Sequence, residues 1–353
     1  KVIRDTAGPE TFLLGSTGPT LHLAGFVDGM RTGNDFGEGR RIAPEAFFYP
    51  ASYVINGIGF WTGPGWALNN AGAAYYTHRK LYLNDSGNVL TVDQPLPLEH
   101  ARIHAAIHGF SGASSMLGDD LSIIAPERLA LIKKTLPRSP EVAFPMDLFS
   151  LPDKERPQNF SRRIAREWGE WRVLALYNLS DRVVRRRIDF TELGWSEKSE
   201  ALIWEFWGER YYGMAAGALE VEIPAETVRI YRLTPVMERP QIIGSDMHMT
   251  MGEMEIGECR YDEANMMFAF SVKRPAGERG SVFLHAPKGF RVVNIGDCFI
   301  AKDALDESLI IRVPVVAGED GCCRRRIEFA RIGAEKAGSV TVGDIHKEMA
   351  EFA

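Results

Sequence analysis

Arg31 and Asp35 stand four residues apart in the stretch Gly25-Phe26-Val27-Asp28-Gly29-Met30-Arg31-Thr32-Gly33-Asn34-Asp35-Phe36. Gly25–Met30 reads as a short buried strand, and the residues after it as an irregular loop. A carboxylate there can move a proton, and a guanidinium can hold oxygen atoms through its fork of donors. The plain alternative is a loop salt bridge, which the same spacing also allows. The surrounding elements have to decide between the two.

Those elements alternate. Thr11–Ser16 reads as a buried strand followed by the turn Thr17-Gly18-Pro19, and Gly25–Met30 as the next strand. A Pro-, Gly- and aromatic-rich stretch from Pro44 to Trp66 reads as a long loop, and Trp66–Arg79 has helical character. Lys80–Asp85 is a third strand, Pro97–Phe110 a helix, and Ala113–Leu117 a fourth strand ending in Gly118-Asp119-Asp120. Pro126–Leu136 is a helix with Pro in its first turn, Glu127 at its positive end and Lys133 and Lys134 at its negative end. Polar residues gather where strands end: Ser16, Asp35, Asn84, Asp85, Asp119, Asp120. Alternating β and α with functional groups at strand carboxyl ends predicts part of a (β/α)8 barrel, whose active site lies on that face. A complete barrel needs about 250 residues, and residues 1–137 supply about strands 5–8, its second half.

After residue 137 the pattern changes. Residues 138–159 form a connector with Pro140, Pro145, Pro152 and Pro157. Residues 160–236 read as short strands with turns between them. Val173, Ala175 and Tyr177 alternate with Leu174, Leu176 and Asn178, the pattern of an antiparallel β-sandwich. Residues 237–353 read as a second β-rich accessory domain, with strands expected at Met254–Ile256, Met267–Val272, Ser281–Ala286, Ile310–Val316 and Arg326–Phe329, and a helix or frayed end from Ile345. The fold class is therefore α/β followed by all-β.

At 353 residues, with 45% apolar and 25% charged side chains, the chain has the balance of a globular protein of two or three domains. Nineteen Phe, ten Tyr and seven Trp supply core and also platforms for sugar rings. A net charge of −6 argues against a general nucleic-acid binder, and no apolar run approaches the roughly 18 residues of a membrane span. Cys259, Cys298, Cys322 and Cys323 lack C-x-x-C spacing; free thiols are expected, with a Cys259–Cys298 bridge as the alternative.

Three stretches then carry a resemblance. "VDGMRTGND", "NDSGN" and "SGASSMLGDDLSIIAPERLALIKKTLP" resemble the second half of the barrel in melibiase-type retaining α-galactosidases. That clan also holds α-N-acetylgalactosaminidases and raffinose-synthase-like proteins. "ALYNLSDRVVRRRIDFTELGW", "ALIWEFWGERYYG" and "VEIPAETVRIYRLTP" resemble the β-sandwich that follows that barrel. The likeness covers roughly residues 1–235. It implies a retaining glycoside hydrolase acting on terminal α-galactosides. Asp35 falls at the general acid/base and Arg31 at a companion that holds a sugar hydroxyl. Ser16, Thr17, Asn84, Asp85, Asn88, Asp119 and Trp61 fall where sugar contacts are expected, each with loop-structuring hydrogen bonds as the alternative. The "NDSGN" stretch departs from the family's Asn-Asp-Pro-Asp. The partner implied is a carbohydrate, with no cofactor and no metal.

A retaining mechanism needs a second carboxylate about 5 Å from the first. The resemblance puts it in a Lys-x-Asp motif after the fourth strand, and the sequence contains no such motif. Asp5 and Asp28 are poor substitutes. The expectation is that the nucleophile-bearing half of the barrel lies outside this sequence, that this stretch alone is inactive, and that exposed barrel edges lead it to aggregate or form oligomers. A non-catalytic carbohydrate-binding remnant and a raffinose-synthase-type transglycosylase are the rival readings. Extracellular, periplasmic and cytoplasmic locations all stay open.

Two other patterns weigh less. His100, His104 and His108 share a helix face but lack the Glu of H-E-x-x-H, so helix packing is expected rather than metal. Met247, Met249, Met251 and Met254 with His248 sketch a soft-metal site, which alternation along a strand explains as well.

Overall fold

The computed structural model describes residues 2–16, 20–32, 62–85, 89–94, 96–112, 116–151, 156–303 and 306–332. The chain divides into two compact units. The first is Lys1–Val236 with Ile243–Glu255, and the second is Met237–Ile242 with Ile256–Ala353.

The first unit opens with part of a (β/α) barrel. Helix α1 (Val2–Ala7) precedes β1 (Leu14–Gly15) and β2 (Gly29–Arg31); α2 (Thr62–Ala74) leads to β3 (Leu83–Asp85) and β4 (Val89–Leu90); α3 (Leu98–Ser111) leads to β5 (Met116–Leu117) and α4 (Pro126–Lys133). Strands β1, β2 and β3 form a parallel sheet in sequence order, with Gly15 beside Met30 and Met30 beside Asn84. Strand β5 pairs in parallel with β4, Val89 beside Met116.

All four expected strands occur, shorter than the apolar runs suggested. Gly25 has φ +80 and lies in a turn, so β2 begins only at Gly29. Helix α2 begins at Thr62, inside the stretch read as loop. Its Gly72 serves a crossing: a Cβ there would lie 2.9 Å from Pro157 of the connector.

Beyond α4 the chain enters an antiparallel sandwich. Its strands are β6 (Phe144–Pro145), β7 (Asn159–Arg166), β8 (Gly169–Asn178), β9 (Val184–Asp189), β10 (Glu200–Glu205), β11 (Arg210–Ala216), β12 (Ala218–Ile223) and β13 (Thr227–Pro235). Six of them run in the order β11-β10-β13-β8-β7-β6, and β12-β9 form a separate ribbon. The connector is thus partly sheet, because Phe144 and Pro145 pair with Ser161 and Phe160. Alternation along β8 sends Leu174 and Leu176 into a core with Ile188, Phe190, Leu219 and Ile223 of the ribbon side. Trp171, Val173, Ala175 and Tyr177 are buried as well, and helix α3 packs over β13 and β8. The central strand is therefore apolar on both faces because both are covered.

The methionine-rich stretch is no strand: residues 246–255 turn repeatedly, with Met247, His248, Met249, Thr250 and Met251 buried. The Trp171 indole N–H donates to the Thr250 carbonyl (3.0 Å), and Arg232 donates to that of Met251. Met249 lies against Gly109 of α3, where a Cβ would come within 1.8 Å of its sulfur. Gly109→Ala therefore trades a helix-propensity gain of up to about 1 kcal/mol against an overpacking cost of about 1–3 kcal/mol. The expected result is a lower denaturant midpoint, restored when Met249 is also cut to Ala.

In the second unit, β15 (Ile256–Asp262), β16 (Met267–Lys273), β21 (Cys322–Arg331) and β18 (Phe290–Val292) form one antiparallel sheet. Strands β17 (Arg279–Ala286), β20 (Leu309–Val316) and β19 (Phe299–Lys302) run together in another. Strand β14 (Gln241–Ser245) spans the division between units. Phe268, Phe270, Val282, Leu284, Ile311, Val313, Ile327 and Phe329, two from each of four strands, are all buried. The strand expected at Met254 starts at Ile256. All four cysteines are free thiols.

Candidate functional site

Strand alternation sorts the residues at the ends of β2 and β3. Asn84 is bound on the helix side: its Oδ1 accepts from the Thr77 hydroxyl (2.8 Å) and its Nδ2 donates to the Ala74 carbonyl (2.9 Å). Its backbone N–H donates to His78 Nδ1 (3.1 Å), while His78 Nε2 meets the Pro140 carbonyl (3.0 Å). Met30, level with Asn84, shares that face. Arg31 and Asp85, the next register pair, therefore project from the opposite face. Arg31 is half-buried and Asp85 buried. Thr32 closes the end of the strand pair, its N–H and hydroxyl both donating to the Asp85 carbonyl (2.7 and 2.9 Å).

Several sequence candidates serve the scaffold. Asn84 was expected to meet sugar, but its amide is committed to the helix. Asp119 accepts from the backbone N–H groups of Val92 (2.7 Å) and Asp93 (3.3 Å), so it ties the loop after β4 to the end of β5. Asp120 closes an Asx turn on Ser122; those hydrogen bonds lower its pKa. Asp28 accepts from the Leu13 N–H (2.7 Å) and from Arg4 (2.5 Å), and these contacts, the N–H first, hold its carboxyl below the usual range. Ser16 is exposed at the end of β1. Asp35, Thr17, Trp61 and Asn88 lie outside the described residues.

Sequence reading missed Arg138. Its Nη2 donates to the Gly112 carbonyl. Burial lowers its pKa to about 10, and the charge of Asp85 works in the opposite direction. Nothing in a proline-rich connector signals that one arginine turns back toward a barrel strand.

The histidine face of α3 packs as expected. His104 Nδ1 meets the Thr91 carbonyl (2.9 Å), His100 Nε2 meets Glu226 (3.1 Å), and His108 is fully buried. His248 uses Nδ1 on Thr250 (2.7 Å) and Nε2 on the Pro137 carbonyl (3.0 Å). Among the described residues no group of three or more His, Cys, Asp or Glu side chains is arranged to hold a metal ion, and no helix is long and apolar enough to cross a membrane.

No protein-family model matches the chain. Solved structures similar to it include α-galactosidase I from Mortierella vinacea, at 17% identity and TM-score 0.48, covering 65% of this chain and 59% of that one. Another is a GH27 β-L-arabinopyranosidase from Geobacillus stearothermophilus in complex with arabinose, at 14% identity and TM-score 0.46, covering 66% and 52%. A third is the isomalto-dextranase of Arthrobacter globiformis with panose, at 16% identity and TM-score 0.43, covering 93% and 59%. The chain thus spans only 52–59% of the length of these structures. The melibiase-type resemblance in the sequence names the same class of enzymes as the first of them.

Proposed function

We propose that this chain supplies the later part of the catalytic barrel, and the β-sandwich that supports it, in a retaining glycoside hydrolase for terminal α-linked galactose-type sugars. The observation that carries the reading is the placement of Arg31 at the carboxyl end of a parallel strand, on the face turned away from the helix, four residues before Asp35. In this reading Arg31 grips sugar oxygens. Asp35 protonates the departing glycosidic oxygen and then takes a proton from the incoming water. The nucleophile that bonds to C1 comes from a β/α segment outside this sequence. Exposed apolar residues on β1 (Leu14) and β5 (Met116, Leu117) are where such units would pair. The rival reading, a carbohydrate-binding remnant, draws on the absence of a Lys-x-Asp motif.

Aryl α-galactoside, aryl α-N-acetylgalactosaminide and aryl β-L-arabinopyranoside distinguish the sugars. The 353-residue chain alone is expected to show negligible turnover. A polypeptide that includes the nucleophile strand is expected to be active and to lose roughly 10²–10⁴ in rate on Asp35→Asn, the usual worth of a general acid/base. Azide should restore turnover of an activated aryl substrate, giving the glycosyl azide with retained configuration. Full activity in Asp35→Asn removes Asp35 from this role, and inactivity of the completed polypeptide toward all three sugars favours the remnant.

A further inference from the structure

Asp85 was expected among the sugar contacts, but it is 1% exposed. A carboxylate this deep needs compensating partners to stay ionised. Two guanidinium-bearing residues bracket it. Arg31 is its register partner on β2; parallel neighbours lie about 4.8 Å apart with side chains on one face. Arg138 approaches from the connector, anchored on the Gly112 carbonyl, and feels the charge of Asp85. The backbone at this point is fixed too, since Thr32, immediately after Arg31, clasps the Asp85 carbonyl through both its N–H and its hydroxyl. Arg31 is only half-buried, and its register places it on the same face as the buried Asp85. A long, flexible side chain gains pre-organisation from such an arrangement.

We propose that Asp85 is a positioning residue: set between Arg138 and Arg31, it orients the Arg31 guanidinium at the mouth of β2 and does not itself touch sugar. The consequence for binding rests on the glycosidase reading of Arg31; the orientation of Arg31 does not. It also explains why a carboxylate and an arginine from separate elements converge on a buried position instead of an apolar pair.

The test uses the 15N-labelled full chain, with the Nε–H resonance of Arg31 assigned by its loss in Arg31→Lys. In the wild type this resonance is expected to be sharp and slow to exchange, and in Asp85→Asn broadened or lost. Galactose, titrated by NMR, is expected to bind about tenfold more weakly to Asp85→Asn, the size of one charged hydrogen bond. In an Arg31→Met background, Asp85→Asn should leave galactose affinity unchanged, because the two residues act as one unit. An unaltered Arg31 resonance in Asp85→Asn, or additive losses across the cycle, overturns the proposal. Whether or not this chain alone binds galactose, the Arg31 resonance decides the positioning role. If Asp85→Asn does not fold, Asp85→Glu carries the test. It keeps the charge and displaces it by one methylene, so an unshifted Arg31 resonance overturns the proposal.

Discussion

Glu253→Ala is expected to destabilise the first unit by about 3–5 kcal/mol, the usual cost of leaving one member of a buried ion pair without its partner. Glu253 and Arg162 are both buried and meet at 2.5 Å. Glu253 Oε2 also accepts from the Ser139 hydroxyl (3.0 Å), and its backbone carbonyl accepts from Arg166. Arg162 donates to the Glu141 carbonyl (2.8 Å) as well. Burial is the main influence on the Arg162 guanidinium, pulling its pKa down, with Glu253 the first charge opposing it. Deleting Glu253 removes that opposition and leaves the charge dry. Replacing both residues by methionine removes the charge together with its partner, so Arg162→Met/Glu253→Met should lie much closer to wild type than either single change. Denaturant midpoints of the four proteins give the coupling directly. Additive losses, with the double variant losing the sum of the two single changes, would show that the ion pair has no special worth. The pair also sets a boundary. Sheet and connector both close on residues 243–255, so a fragment ending at Val236 should be far less stable than one ending at Glu255.

The order of elements was legible because it depends on local pattern. Pro126 and Glu127 start α4, and two interleaved apolar rows along 173–178 mark a strand covered on both faces. What sequence could not give depends on partners distant in the chain. The methionine run at 247–254 has the spacing of a strand, but its neighbours are Gly109, Trp171 and Arg232, and packing in that crevice overrides alternation. The start of β2 was set four residues early because Gly25 and Phe26 are apolar, while φ +80 at Gly25 makes a turn. At the candidate site, residue types were read correctly as polar strand ends. Which of them face a pocket is a question of register, and a shift of one residue reverses the answer. Asn84 and Asp85 are adjacent and indistinguishable in the sequence, yet one bonds to the helix and the other projects beside Arg31.

Mild acid is expected to unfold the first unit, and His104 is one of the buried histidines responsible. Burial, opposed by its contact with the Thr91 carbonyl, holds its pKa down to about 4, against 6.5 unfolded. Between those values the unfolded chain takes up a proton that the folded chain refuses. Stability is therefore full above pH 6.5 and falls as pH drops toward 4, at about 1.4 kcal/mol per pH unit for one group. Over the whole window the loss is roughly 3 kcal/mol. His108 shifts the same way, through burial and then the charges of Arg138 and His104. His78 does so through burial, and its Nδ1 must stay unprotonated to accept from the Asn84 N–H. Asp147, raised above 3.8 by burial, works in the opposite sense, gaining stability as pH falls through its raised value toward 3.8. Three histidines titrating together would remove several kcal/mol from a total that is usually about 5–15 kcal/mol. Denaturant midpoints at pH 7, 6, 5 and 4.5 should fall steeply below pH 6.5. His104→Asn keeps an N–H near the position of Nδ1 but cannot protonate, so it should flatten the slope by about 1.4 kcal/mol per pH unit. An unchanged slope in that variant would remove His104 from the account.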